Sequence, residues 1–168
     1  MSRFLAREEL AEILIARRGA GTLGRVVLAN GCFELLHAGH VRYLDDARSR
    51  GDLLVVAVND DDSVRRLKGE GRPVVTLADR AEILCGLRAV DYVVPFAEAT
   101  LEATLRALRP DVHAKGTDYT AEEVPEAAVD AELGIEIAIC GDPKTRSSSA
   151  TIRRISDLEA LAGTAGSE

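Results

Sequence analysis

Positive charge is in short supply in this chain. Its 168 residues carry 21 Lys and Arg against 28 Asp and Glu, for a formal charge of −7 and a sequence pI near 5.1. That balance excludes bulk binding of DNA or RNA, which needs a basic face. It leaves room for one small anion in a local positive pocket. Lysine is scarcer still, with only Lys68, Lys115 and Lys144. Long apolar runs are missing: none approaches the roughly 18 residues of a membrane helix, so no membrane association is expected. The first residues lack the apolar core and cleavage site of a secretion signal, which points to the cytoplasm. Cysteine occurs three times, at Cys32, Cys85 and Cys140, with no CxxC or CxxH spacing. Those are the marks of reduced thiols and argue against a structural zinc site. What remains, 46% hydrophobic and 29% charged residues, suits one globular domain with a real core.

Short apolar runs alternate with helical patterns. Residues 26–29, 53–58, 92–96, 112–114 and 135–139 read as strands, and their lack of polar alternation suits burial on both faces. Helical spacing marks residues 4–17, 41–50, 77–87, 100–108, 121–133 and 150–161. The expected fold is α/β, a Rossmann-like doubly wound parallel sheet of five strands with helices on both faces. The expected organisation is an N-terminal helical segment over 1–24, one domain over 25–162 and a frayed tail over 163–168. Ligands of such sheets bind beyond the carboxyl ends of the strands, which directs attention to the segments just after each apolar run.

Four such segments carry chemistry. After the first strand comes Gly31-Cys32-Phe33-Glu34-Leu35-Leu36-His37-Ala38-Gly39-His40. Gly39 admits close backbone approach, and His40 stands where a helix N-terminus favours an anion. Taken alone, the two histidines suit phosphate contacts, hydrogen-bonded loop residues or a metal pair. After the second strand, residues 63–73 carry Arg65, Arg66, Lys68 and Arg72 against Glu70, and read as a Gly-rich flexible loop. Arg80 and Asp91 suit structural salt bridges or caps at least as well as ligand contacts. After the fourth strand stand Lys115, Gly116 and Asp118, with His113 inside the strand as a packing residue. Lys115 suits a phosphate contact, and Asp118 a ligand contact or a turn cap. Finally Lys144-Thr145-Arg146-Ser147-Ser148-Ser149 opens the last helix, where hydroxyls and free N–H groups suit phosphate or a helix cap.

Together these motifs resemble the nucleotidylyltransferase superfamily marked by HxGH, in its cytidylyltransferase-like branch. The stretch around Val58-Asn59-Asp60 to Pro73 and the run from Arg109 to Tyr119 resemble the bacterial heptose 1-phosphate adenylyltransferases. One departure is Glu34, where the family usually has Asp, which lengthens the carboxylate arm. The resemblance implies transfer of a nucleotidyl group from ATP to D-glycero-β-D-manno-heptose 1-phosphate, giving ADP-heptose and pyrophosphate. A cytidylyltransferase using CTP and glycerol 3-phosphate is the enzyme alternative, and a nucleotide-binding module the non-enzyme one. It implies catalytic roles for His37, His40 and Lys68, and nucleotide binding by Gly31, Cys32, Phe33, Gly39, Lys115, Asp118, Arg146, Ser147, Ser148 and Ser149, with Thr151 the alternative third hydroxyl. Mg²⁺ is expected with the triphosphate, without direct protein ligation. The expected partners are ATP or CTP and a phosphorylated sugar or polyol, in a homodimer or larger homo-oligomer. Relatives often carry a sugar kinase ahead of this domain, and a stand-alone enzyme is expected here.

Overall fold

A computed structural model describes residues 3–143 and 148–165. Five strands, β1 (Val26–Gly31), β2 (Leu53–Asn59), β3 (Tyr92–Phe96), β4 (Val112–Gly116) and β5 (Glu136–Cys140), form one sheet in the order β3-β2-β1-β4-β5. Every pairing is parallel. The chain steps outward from β1 through β2 to β3, then crosses back to place β4 on the other side of β1. That reversal opens a crevice between β1 and β4, the switch point at which such sheets hold ligands.

Among the described residues, seven α-helices surround the sheet: α1 (Arg7–Gly19), α2 (Ala38–Ser49), α3 (Asp61–Lys68), α4 (Leu77–Gly86), α5 (Glu102–Leu108), α6 (Ala127–Leu133) and α7 (Ser148–Ala165). Alternate strand residues face opposite ways, so each apolar run feeds two cores. Val27, Ala29, Leu54, Val56 and Val58 pack with Leu44 and Ala47 of α2 and Ala81 and Leu84 of α4. Val26, Leu28, Leu53, Val55 and Ala57 pack with Leu10 and Leu14 of α1, Leu105 and Leu108 of α5, and Val129 of α6. The expected doubly wound sheet is therefore present, with helices on both faces. Among the described residues, no helix is long and apolar enough to cross a membrane.

The edge strand β3 contains Pro95, which a central strand would not accommodate. Residues 3–5 lie along this edge: Leu5 N–H donates to the Val93 carbonyl (3.1 Å) and Val93 N–H to that of Arg3 (2.8 Å). At the amino ends of the strands, Asp91 accepts from Leu54 N–H (2.8 Å) and pairs with Arg48 (3.3 Å). Its role is structural, far from the ligand edge.

Two expectations fail. The stretch read as a flexible loop is largely helical, because Asp60 caps α3 through Ser63 N–H (2.7 Å) and its charges complement the helix dipole. Asp61 and Asp62 occupy its first turn, and Arg65, Arg66 and Lys68 its last. The helix expected over 121–133 is broken into a 3₁₀ turn, Ala121–Glu123, and α6. Pro125 forces Val124 into an extended conformation between them. At the other end of the chain, α7 continues to Ala165, so the described part of the expected frayed tail is helical.

Helix α1 is anchored by Leu10 and Leu14, which are fully buried. Replacing Leu10 with Ala should lower unfolding stability by about 2–5 kcal/mol. Urea unfolding should stay a single transition, and a separate early transition would show α1 to be an independent unit.

Candidate active site

The carboxyl ends of the strands surround a cavity of about 730 Å³ at the β1–β4 crevice. Of the sequence-predicted site residues that the structure describes, Gly31, Cys32, Phe33, His37, Gly39, His40, Lys68, Lys115, Asp118, Ser148 and Ser149 line it, whereas Thr151, the alternative third hydroxyl, does not. Arg146, Ser147 and neighbouring Lys144 lie outside the described residues.

The turn after β1 brings the histidines together. His37 is the extended N-cap of α2, and His40 falls in its first turn. Their rings stack with centroids 3.9 Å apart and planes 18° from parallel. A Cβ on Gly39 would lie 3.0 Å from the His37 ring, so a side chain there would displace it. Phe33 holds the other side, with its ring 5.3 Å from that of His40 and 6.4 Å from that of Tyr43. Its backbone is left-handed, at φ 46°, a strained conformation of the kind found at functional sites. Tyr43 donates to the Ala114 carbonyl (2.8 Å), and burial pushes its phenol far above the ordinary value. The start of α2 thus sets both imidazoles in the cavity lining, braced by the Phe33 and Tyr43 rings.

Ser148 begins α7 and spans to the same turn. Its hydroxyl donates to the Leu35 carbonyl (3.1 Å) and accepts from Leu35 N–H (3.3 Å). The hydroxyl therefore ties the last helix to the histidine turn as well as facing the cavity.

Glu34 is the residue whose role the sequence left most open. Its side chain is fully buried and accepts from Nε and Nη2 of Arg72, from Lys68 Nζ (3.4 Å) and from Val74 N–H (2.9 Å). Burial alone would push its carboxyl up, but Arg72, the Val74 amide and Lys68 outweigh that and hold it at about 2. Glu34 thereby fastens the segment after α3 to the histidine turn and holds Lys68 at the cavity wall. Arg80, also fully buried, donates to the Cys32 carbonyl (2.6 Å) and pairs with Asp61 (2.8 Å). It supports the turn from behind and does not line the cavity.

Across the crevice, Lys115 Nζ contacts Glu126 Oε2 (2.9 Å) and Asn30 Oδ1 (3.1 Å), and lies 5.4 Å from the centre of the Tyr119 ring. Burial pushes the Glu126 carboxyl up, but Lys115 and the hydrogen bond from Leu101 N–H bring it below its ordinary value. Glu126 had no signal in the sequence, because its segment read as continuous helix. His113 lies outside the cavity, buried against Asp130 (2.8 Å), in the packing role expected of it. Cys32 has its thiol raised by burial and lies 3.5 Å from Asn59 Oδ1, which suits no nucleophile. Among the described residues, no three His, Cys, Asp or Glu side chains converge as a metal site.

Comparison with known proteins matches residues 28–155 to the family model described as Cytidylyltransferase-like. The chain belongs to the cytidylyltransferase-like family. Within it, the Bifunctional protein HldE of Pseudomonas paraeruginosa is 47% identical over 147 residues, covering 87% of this chain and 31% of that protein. The protein of the same name from Alkalilimnicola ehrlichii is 54% identical over 120 residues, covering 71% of this chain and 25% of that protein. The chain thus spans less than a third of the length of these relatives. The crystal structure of the lipopolysaccharide core biosynthesis protein from Thermoplasma volcanium GSS1 superposes with a TM-score of 0.62 at 25% identity, covering 73% of this chain and all of that one. The cytidylyltransferase-like match runs from within β1 into α7, enclosing the histidine turn and the Lys68 segment.

The depressed Glu34 carboxyl has a measurable consequence. A carboxylate held below its ordinary value stabilises the fold fully above about 4.5, and that contribution disappears as pH falls towards about 2. Glu34→Gln should cost roughly 3 kcal/mol in urea unfolding at neutral pH. The difference from the parent should vanish near pH 2. A gap that stayed constant across that range would show that Glu34 is not the titrating group.

Proposed function

We propose that this cavity transfers a nucleotidyl group from ATP to a sugar 1-phosphate, with D-glycero-β-D-manno-heptose 1-phosphate the acceptor and ADP-heptose and pyrophosphate the products. The observation that carries the proposal is the gathering of His37, His40, Lys68 and the α7 N-terminus on one cavity at the switch point. The sugar choice is supported by the resemblance of the Val58–Pro73 and Arg109–Tyr119 stretches to heptose 1-phosphate adenylyltransferases, and by the likeness to the HldE proteins.

The chemistry asks little of a base. A phosphate oxygen of the acceptor, already anionic, attacks the α-phosphorus of ATP in line. One P–O bond forms, and the bond to the β-phosphate oxygen breaks, its electrons leaving with pyrophosphate. Catalysis then consists of positioning the two anions and neutralising charge at the transferring phosphorus and the leaving group. His37 and His40, aimed from the start of α2, donate to the α-phosphate oxygens. Lys68, on a long flexible arm beside Glu34, follows the charge that develops on the leaving group. Backbone N–H groups at the start of α7, near Ser148 and Ser149, cradle the rest of the triphosphate. Asp118 and Asp142 line the cavity, and their carboxylates would hold, through water, a Mg²⁺ that enters with the triphosphate. Bound there, it would supply further neutralisation of the triphosphate.

Pyrophosphate release tests the reading. ATP, CTP, GTP and UTP are each paired with heptose 1-phosphate and with glycerol 3-phosphate. Release only with ATP and heptose 1-phosphate is expected. Release with CTP and glycerol 3-phosphate would make the protein a cytidylyltransferase, and no release with any pair would make it a binding module. In the productive pair, His40→Ala should lower kcat by about 10²–10³. Near-parental turnover would remove His40 from the mechanism.

A further inference from the structure

Four buried ionisable side chains form two parallel rungs between β4 and the start of α6. His113 and Lys115, two residues apart on a strand, point to the same face. Glu126 is the N-terminal flanking residue of α6, and Asp130 lies one turn on along the same side. The rungs are His113 Nδ1 to Asp130 Oδ2 at 2.8 Å and Lys115 Nζ to Glu126 Oε2 at 2.9 Å. All four residues are 5% exposed or less. The His113 rung lies outside the cavity, whereas both partners of the Lys115 rung line it.

Glu126 joins three separate walls. Its Oε2 meets Lys115 at the end of β4, and its Oε1 accepts from Leu101 N–H (3.1 Å) in the segment before α5. With Pro125 it lines the cavity just before α6. A buried ion pair is costly to desolvate, and one placed in a cavity wall marks a functional position.

The pairing also restricts what Lys115 can receive. A phosphate reaching its ammonium group would set a second negative charge close to the Glu126 carboxylate, in a wall with little water to screen the repulsion. An uncharged hydroxyl meets no such repulsion. It can accept from the ammonium and donate to the carboxylate, and adjacent hydroxyls can do both. The groups suited to anions, namely His37, His40 and the α7 N-terminus, stand on other elements.

We propose that Glu126 is a positioning residue that holds Lys115 so that the pair reads the hydroxyl groups of the sugar phosphate, which assigns Lys115 to the acceptor and not to the nucleotide. The inference rests on the nucleotidyl-transfer reading above.

The test uses the full chain in three forms: parent, Glu126→Gln and the double variant Lys115→Met with Glu126→Gln. The glutamine keeps size and an acceptor for Leu101 N–H but removes the charge. The double variant removes both charges, so that no unpaired ion is left buried and folding is retained. Calorimetric titration with ATP and, separately, with heptose 1-phosphate precedes kinetics. Both variants should weaken heptose 1-phosphate binding and raise its KM by about 10–100-fold, the loss of one or two hydrogen bonds to charged groups. ATP affinity should stay within about 2-fold of the parent, below 1 kcal/mol on the binding scale. The double variant should weaken heptose 1-phosphate binding at least as much as the single one, since it removes the Lys115 contact as well as the Glu126 one. Equal weakening towards ATP, or unchanged heptose 1-phosphate binding, would overturn the assignment. Parental binding of heptose 1-phosphate without pyrophosphate release, lost in the variants, would support the pair while overturning the reaction. Failure of the parent to bind heptose 1-phosphate at all would overturn both.

Discussion

The Glu34 carboxylate is the point on which this cavity turns. It is one anion without solvent exposure, shared by a bidentate guanidinium, an ammonium and a backbone amide. Two cations against one anion leave a net positive charge at this corner, placed where a phosphorylated ligand would enter. The same contacts hold the turn after β1 to the segment after α3, two pieces of chain that meet only at the ligand edge. Removing the carboxylate would leave Arg72 and Lys68 repelling each other beside a partly dry wall, which is why the effect reaches both stability and site geometry. The longer side chain at this position supplies the reach to Arg72 while keeping the carboxylate itself buried.

Much of this architecture was legible because its physics is local or periodic. The run Leu53 to Val58 has no polar alternation, and the structure buries every residue of it between two helix layers. The histidine turn was legible because residue order along one strand-to-helix connection fixes which groups meet. What escaped was tertiary. Helix α3 hid because it buries little beyond Ser63 and Val64, so its stripe was too narrow to stand out from its charges. Glu126 hid because its partners, Lys115 and Leu101, arrive from elements 11 and 25 residues earlier in the chain. Arg80 makes the structural salt bridge its sequence suits, with Asp61, yet its guanidinium is also fully buried against a carbonyl of the histidine turn. Spacing announces neither contact.

The acidic balance of the chain also takes on a spatial meaning. Glu34, Glu126 and Asp130 are buried among the cationic or ionisable partners that they hold, while Lys68 and Lys115 line the cavity. The sequence places both in segments expected at the ligand edge, within a chain whose net charge is −7. A field of that shape discourages extended polyanions, which would have to cover the acidic surface. A small anion needs only the mouth of the crevice.

The pairing of residues 3–5 along β3 has a consequence beyond the cavity. A parallel sheet normally exposes two rows of unused backbone donors and acceptors, one at each side. Here one side is bridged at Val93 by residues 3–5 and carries Pro95, and among the described residues β5 is left with its outer side unpaired along its length. The β5 side therefore offers strand addition the longer uninterrupted row of backbone groups. Two copies meeting at β5 through a two-fold axis would consume that side of each, so such contact ends at a closed pair.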